Sequence, residues 1–294
     1  MIRFILVSIA LILGSSNFAF AEKKINPSCY KIHTPVTASY CIYRADENPS
    51  DDILYYFHGL GGNETSWGDK FYYTEQIRQQ WKSEGKKIPT VVTISFGQIW
   101  LLASKNSSPY SGLLDFVAGA LIPGIESQLG GFKGKRILMG ESMGGFNSIQ
   151  MALKTSMFER TAIICAPMAQ LSPWATPEEI KAYTEGTVAW AYYTATNNQA
   201  AVTQSIERMI TLSRQFYPTP AEWATGNPLV LAASPKSRPD LYITVGFYDN
   251  YASYEATGKF VEILRANGAN VEWRPQWGGH CVVDIPSVAK FLVP

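Results

Sequence analysis

Charge is almost balanced in this sequence, with 25 Lys and Arg against 24 Asp and Glu for a net +1, and neither sign is gathered into a run or a tail. That removes the electrostatic footprint of a nucleic-acid or polyanion partner. Internal repeats and low-complexity blocks are missing too, so nothing suggests a repeat array. Past the N-terminus, no stretch approaches the roughly 18 uninterrupted apolar residues that a membrane helix needs. Cysteine is confined to Cys29, Cys41, Cys165 and Cys281, and no pair has the spacing of a zinc site. Histidine is scarcer still, at three residues. Any chemistry that needs an imidazole has few candidates.

What is present is apolar material, 46% of 294 residues against 17% charged, enough to bury a large core. Length alone permits one domain or two. The first 21 residues read as a secretory signal peptide. Arg3 supplies the positive start, Phe4 to Leu13 is apolar except for Ser8, and Ala19-Phe20-Ala21 offers a small-x-small cleavage site. An uncleaved N-terminal anchor is the alternative. Cleavage would start the mature chain at Glu22, secreted or periplasmic and without a stable membrane anchor. No Cys follows the site to carry a lipid.

Export makes disulfides expected. Cys29 and Cys41 bracket a segment able to fold back as a hairpin, and a bridge between them is predicted. Cys165 and Cys281 stay open: each could pair or remain a buried free thiol.

Short apolar β-rich runs at 40–44, 53–57, 90–95, 136–139, 161–165, 241–245 and 271–276 alternate with helical patterns at 67–81, 113–129, 145–154 and 254–266. Pro123 should kink or split the second of these helices. Such alternation, with strongly apolar strands, predicts an α/β fold: a mainly parallel sheet with helices on both faces. A last helix is expected over 286–292. Residues 167–236 break the rhythm with helical patterns at 178–194 and 202–214, many aromatics and no strand. They read either as a helical lid inserted into one domain spanning 22–294, or as a long crossover whose aromatics are core.

Gly140-Glu141-Ser142-Met143-Gly144 matches G-x-S-x-G with a strand running in and a helix leaving. That context puts a serine hydroxyl on a tight, exposed strand-to-helix turn. A serine needs a base. His33 lies in the N-terminal hairpin and His58 follows an early strand, whereas His280 follows the last strand, where this fold delivers its base. Asp249, on the loop after 241–245, is the orienting acid in the order Ser142, Asp249, His280, although it could instead be a turn residue or helix N-cap. Asp240 precedes its strand, at the wrong sheet edge, and Asp284 follows His280 too closely. Oxyanion donors are expected from the backbone N–H of Met143 and, in the turn His58-Gly59-Leu60-Gly61-Gly62, of Leu60.

The segments FHGLGGNETSW, LIPGIES, GESMGGFNSIQMAL, GFYDNY and WGGH together resemble an α/β-hydrolase esterase family. It includes the esterase D and S-formylglutathione hydrolase group, feruloyl esterases and mycolyltransferases. The resemblance runs from Leu54 to the C-terminus and is weakest through 167–236. It implies an acyl-enzyme mechanism on Ser142, Asp249 and His280, with Leu60 and Met143 as oxyanion donors, acting on a small-molecule or saccharide-linked ester. No metal or other cofactor is implied. GGNET stands where the S-formylglutathione branch carries a cysteine, and export argues against a cytosolic thioester. Two alternatives use the same scaffold: acyl transfer to an alcohol or sugar, and a non-catalytic secreted binding protein.

Overall fold

The computed structural model describes residues 26–33, 36–70, 72–101, 103 and 106–294, and the predicted signal peptide lies outside them. The sheet is explained by strands that are apolar on both sides. In β3 (Pro49–Phe57), Leu54 and Tyr56 enter one core while Ile53, Tyr55 and Phe57 enter another. The period of two recurs in β5 (Arg136–Glu141), where Ile137 and Met139 oppose Leu138. A strand buried on both faces needs cover on both, and two sets of helices supply it.

The other strands are β1 (Ser28–His33), β2 (Thr37–Tyr43), β4 (Ile88–Ser95), β6 (Arg160–Ile164), β7 (Asp240–Thr244) and β8 (Val271–Trp273). They lie in the order β1-β2-β4-β3-β5-β6-β7-β8, antiparallel at the β1–β2 and β2–β4 pairs and parallel elsewhere. The β1–β2 hairpin sets Cys29 directly opposite Cys41, and the two are joined in the expected disulfide. One face is covered by α1 (Tyr73–Ser83) and α11 (Ile285–Leu292), where the Trp81 indole donates to the Ala289 carbonyl at 2.8 Å. The opposite face carries α2 (Leu113–Phe116), α3 (Ile122–Gln128), α4 (Met143–Lys154) and α10 (Tyr254–Ala266).

Several predicted boundaries move, each for a local reason. The helix expected over 67–81 begins only at Tyr73. Trp67 stacks on Trp81 from a separate tight turn, Ser66–Gly68, so one core face had looked like one helix. At 113–129 the element is divided just before Pro123, as expected. With no proline N–H to give, it widens into a π turn over Val117–Leu121 before resuming as α3. The strand expected over 271–276 is regular only to Trp273, with a single further bridge between Gly246 and Gln276.

Between β6 and β7 come five helices: α5 (Pro177–Glu185), α6 (Val188–Ala195), α7 (Gln199–Phe216), α8 (Pro220–Gly226) and α9 (Pro228–Ala233). The expected helix over 178–194 is divided at Gly186, because the Thr187 hydroxyl caps a new start by accepting from the Trp190 N–H. Phe216, Tyr217 and Trp223 are buried with Trp100 and Phe146 in the main core. Those aromatics fill the interior.

Candidate active site

Parallel strands gather their carboxyl ends at one edge of the sheet, which is where open α/β sheets bind ligands. Strand order reverses about β3, so the loop after β3 and the turn after β5 face each other there. Ser142 occupies that second turn with φ 48° and ψ −119°, a conformation rare for an L-residue. It is held there by backbone bonds from the Ser142 N–H to Ile164 and from the Phe146 N–H to the Ser142 carbonyl, at 2.9 and 3.0 Å. The glycines around it have no spare space. A Cβ on Gly140 would lie 2.2 Å from the Gly144 carbonyl oxygen, and one on Gly144 would lie 2.0 Å from that of Phe57. Gly144→Ala is therefore expected to destabilise the fold by about 3 kcal/mol or more and to remove activity. Denaturant unfolding beside an esterase assay checks it.

The loops after β7 and β8 are joined through their backbones. The Phe247 and Tyr248 N–H groups donate to Gln276 and Gly278 at 2.9 and 3.2 Å. Gly246 is required at this contact, since a Cβ there would meet the Gly279 carbonyl oxygen at 2.1 Å. Asp249 and His280 meet as a result, with His280 Nδ1 2.8 Å from Asp249 Oδ2 and Nε2 2.9 Å from Ser142 Oγ. A carboxylate can only accept, so the Nδ1 proton points at Asp249 and leaves the Nε2 lone pair for the serine hydroxyl. Asp249 is 1% exposed, and its Oδ1 also accepts from the Tyr251 N–H at 2.8 Å. One side chain thus makes both the turn contact to the Tyr251 N–H and the contact to His280 that an orienting acid would need. The N-cap of α10 is Ser253.

The other candidates lie elsewhere. Asp240 opens β7 and accepts from Asn270, and Asp284 caps α11 by accepting from the Ser287 N–H. His58 is buried behind the site. Its Nδ1 faces the Gly59 carbonyl at 2.7 Å and its Nε2 the Ser95 hydroxyl at 2.8 Å, and desolvation holds its pKa below the ordinary imidazole value. His33 belongs to β1. Met143 is the first residue of α4, where a helix N–H has no partner within its own helix. Leu60 lines the same cavity as Ser142 and His280.

That cavity holds about 720 Å³. Its lining includes side chains to which the sequence reading gave no role: Ser66, Asp69, Tyr72, Gln98, Glu141, Arg208 and Tyr251. Arg208 arrives from α7 and Tyr251 packs its ring 4.7 Å from that of His280. No motif signals a residue that reaches the site from a distant helix. Glu141 was visible only as the variable position of G-x-S-x-G.

Cys165, directly after β6, is bonded to Cys281, directly after His280. The bond settles the pairing that sequence left open and takes both sulfurs out of play as metal ligands. It closes a segment of 116 residues and anchors the His280 loop to the sheet. Replacing both cysteines by alanine is expected to cost about 2–5 kcal/mol, read from denaturant unfolding of the variant against the oxidised parent.

A sheet of this order with these loops is the α/β-hydrolase fold. Comparison with known proteins narrows the class. Residues 39–274 match the model of the family described as Putative esterase, and the chain belongs to that family; it is a carboxylic ester hydrolase. No curated protein matches the sequence. Among solved structures, the chain is similar to a hyperthermophilic esterase from the archaeon Pyrobaculum calidifontis, with 15% identity, TM-score 0.59, and coverage of 90% of this chain and 84% of that one. It is also similar to carboxyl esterase 2 from the mycorrhizal fungus Tuber melanosporum, with 16% identity, TM-score 0.56, and coverage of 91% and 83%. A ferulic acid esterase aligns with 14% identity, TM-score 0.52, and coverage of 90% and 93%.

Proposed function

We propose that this protein is an exported serine esterase that cleaves carboxylic esters through an acyl-enzyme on Ser142. One observation carries the reading: His280 lies within hydrogen-bond reach of both Asp249 and Ser142, at 2.8 and 2.9 Å, and a carboxylate at Nδ1 favours the tautomer that takes a serine proton. Ser142 Oγ attacks the ester carbonyl as its proton passes to His280 Nε2. Asp249 steadies the imidazolium, and the Leu60 and Met143 N–H groups receive the negative charge that forms on the carbonyl oxygen. Collapse of the tetrahedral intermediate breaks the ester C–O bond, and the leaving alcohol takes the proton from His280. Water then repeats the sequence on the acyl-enzyme and frees the acid. The access of the cavity to bulk solvent through Gly61 and Arg208, both exposed, supports water as the second acceptor.

Export rests on the N-terminal pattern and on the two disulfides, bonds that persist in oxidising compartments. Among the described residues no helix is long and apolar enough to cross a membrane. Helices α5 to α9 form an insertion in a single hydrolase domain: its α7–α9 end is rooted in the core, and α7 presents Arg208 to the cavity as the capping part. The test is a panel of short acyl, long acyl, feruloyl and acetyl-sugar esters, with and without an added alcohol. Free acid as the sole product supports hydrolysis, whereas a new ester in the presence of alcohol points to acyl transfer.

A further inference from the structure

The residue between Gly140 and Ser142 is a carboxylate with a second task. Glu141 is 5% exposed, yet it lines the catalytic cavity beside Ser142. Burying a carboxylate costs several kcal/mol unless its oxygens are matched by donors. Here they are. Oε1 accepts from the backbone N–H of Gly59 at 3.1 Å, and Oε2 accepts from the Tyr72 hydroxyl. Gly59 is packed onto that oxygen so closely that a Cβ would stand 3.2 Å from Oε1 and 3.5 Å from Ser142 Cβ. The carboxylate therefore joins the nucleophile turn after β5 to the glycine-rich loop after β3. Gly59 is the residue before Leu60, whose N–H is the proposed oxyanion donor.

We infer that Glu141 is a positioning residue that fixes the oxyanion loop: by holding the Gly59 N–H it sets the direction of the next peptide, so that the Leu60 N–H points at the reacting carbonyl. This rests on the serine-esterase reading above. Tyr72 holds the carboxylate in turn. Burial first, and the Glu141 charge second, push the ionisation of Tyr72 well above the ordinary phenol range, so its hydroxyl keeps its proton and remains a donor. Tyr56 and Tyr73, both buried, are shifted the same way for the same reasons. With both oxygens engaged, Glu141 is not the group that takes the serine proton. Its effect passes through the loop, and oxyanion donors act mainly on the transition state, so it should appear in kcat more than in KM.

The test compares Glu141→Ala, Glu141→Gln and Tyr72→Phe, with the concentration of functional Ser142 fixed by fluorophosphonate titration. Per titrated site, Glu141→Ala should lose about 10–100-fold in kcat with KM within about threefold, because a misaimed donor costs part of what a deleted one costs. Inhibition by a boronic acid, which mimics the tetrahedral intermediate, should weaken by the same factor as kcat. Glu141→Gln should recover to within about fivefold of the parent, since its carboxamide oxygen can still accept from Gly59. If Glu141→Ala does not fold, Tyr72→Phe decides, with an expected loss of about 3–10-fold in kcat at unchanged KM. Parent-like kcat per site in the Ala or Phe variant, or a loss confined to KM, would overturn the inference. A purely structural role would lower the titratable fraction and leave kcat per site intact, which also overturns it. An active Ser142→Ala enzyme would instead overturn the underlying mechanism, so the two failures are distinguishable.

Discussion

Ser142→Ala is expected to lower kcat about a millionfold, down to the residue of rate supplied by substrate binding and the oxyanion donors. Nothing else in the cavity substitutes for the lost hydroxyl. Ser66 belongs to a neighbouring turn and accepts the Asn63 N–H, and the nearby His58 turns its ring nitrogens to the Gly59 carbonyl and the Ser95 hydroxyl instead. The substitution removes one oxygen from a site where the φ of 48° is set by surrounding backbone bonds, so folding should be nearly unaffected. Thermal unfolding beside the kinetic assay checks both halves. Activity near that of the parent in a folded Ser142→Ala protein would refute the nucleophile.

Asp249→Asn comes next, at about four orders of magnitude in kcat. An asparagine keeps the shape and can still accept the Tyr251 N–H through its oxygen. Turning its amide toward His280, however, offers a donor where an acceptor stood, which favours the tautomer with the proton on Nε2. That nitrogen then cannot take the serine proton. The comparison with Asp240→Asn and Asp284→Asn is what gives the experiment its force. The Asp240 carboxylate accepts from the Asn270 side chain at the opposite edge of the sheet, and Asp284 caps α11, where asparagine caps nearly as well. Both should retain parent-like kcat. A collapse in either, with Asp249→Asn unimpaired, would mean the orienting acid has been misidentified.

Much of this architecture was legible in the amino-acid sequence because its strongest signals are local and periodic. The strand 53–57 is apolar at every position and 161–165 at every position but Thr161, and only burial on both faces accommodates that. The G-x-S-x-G turn is legible for a steric reason: neighbouring backbone oxygens leave no space for a Cβ at Gly140 or Gly144. Scarcity narrowed the candidates for a base, since three histidines left one after the last strand. The helix boundaries were less legible. Trp67 and Trp81 share a core face across two elements, and a hydrophobic period cannot tell one helix from two. The cavity wall was the least legible part. Arg208 and Tyr72 reach it from elements far apart in the chain, through contacts that no local pattern encodes. Glu141 stood in plain view, but its meaning depends on Gly59, a partner 82 residues away. The Cys165–Cys281 bond is of the same kind, with two apolar surroundings that suit a free thiol as well as a bridge.

The acyl-enzyme itself is the most direct test of the account. Mature protein mixed with a p-nitrophenyl ester and quenched in acid within the first turnover should gain the mass of one acyl group. Proteolysis and mass spectrometry should place that group on the peptide containing Ser142. The adduct should be absent from Ser142→Ala and should build up in a variant whose deacylation is slowed. An unmodified Ser142 peptide during demonstrable turnover, or an acyl group carried on any other residue, would contradict it.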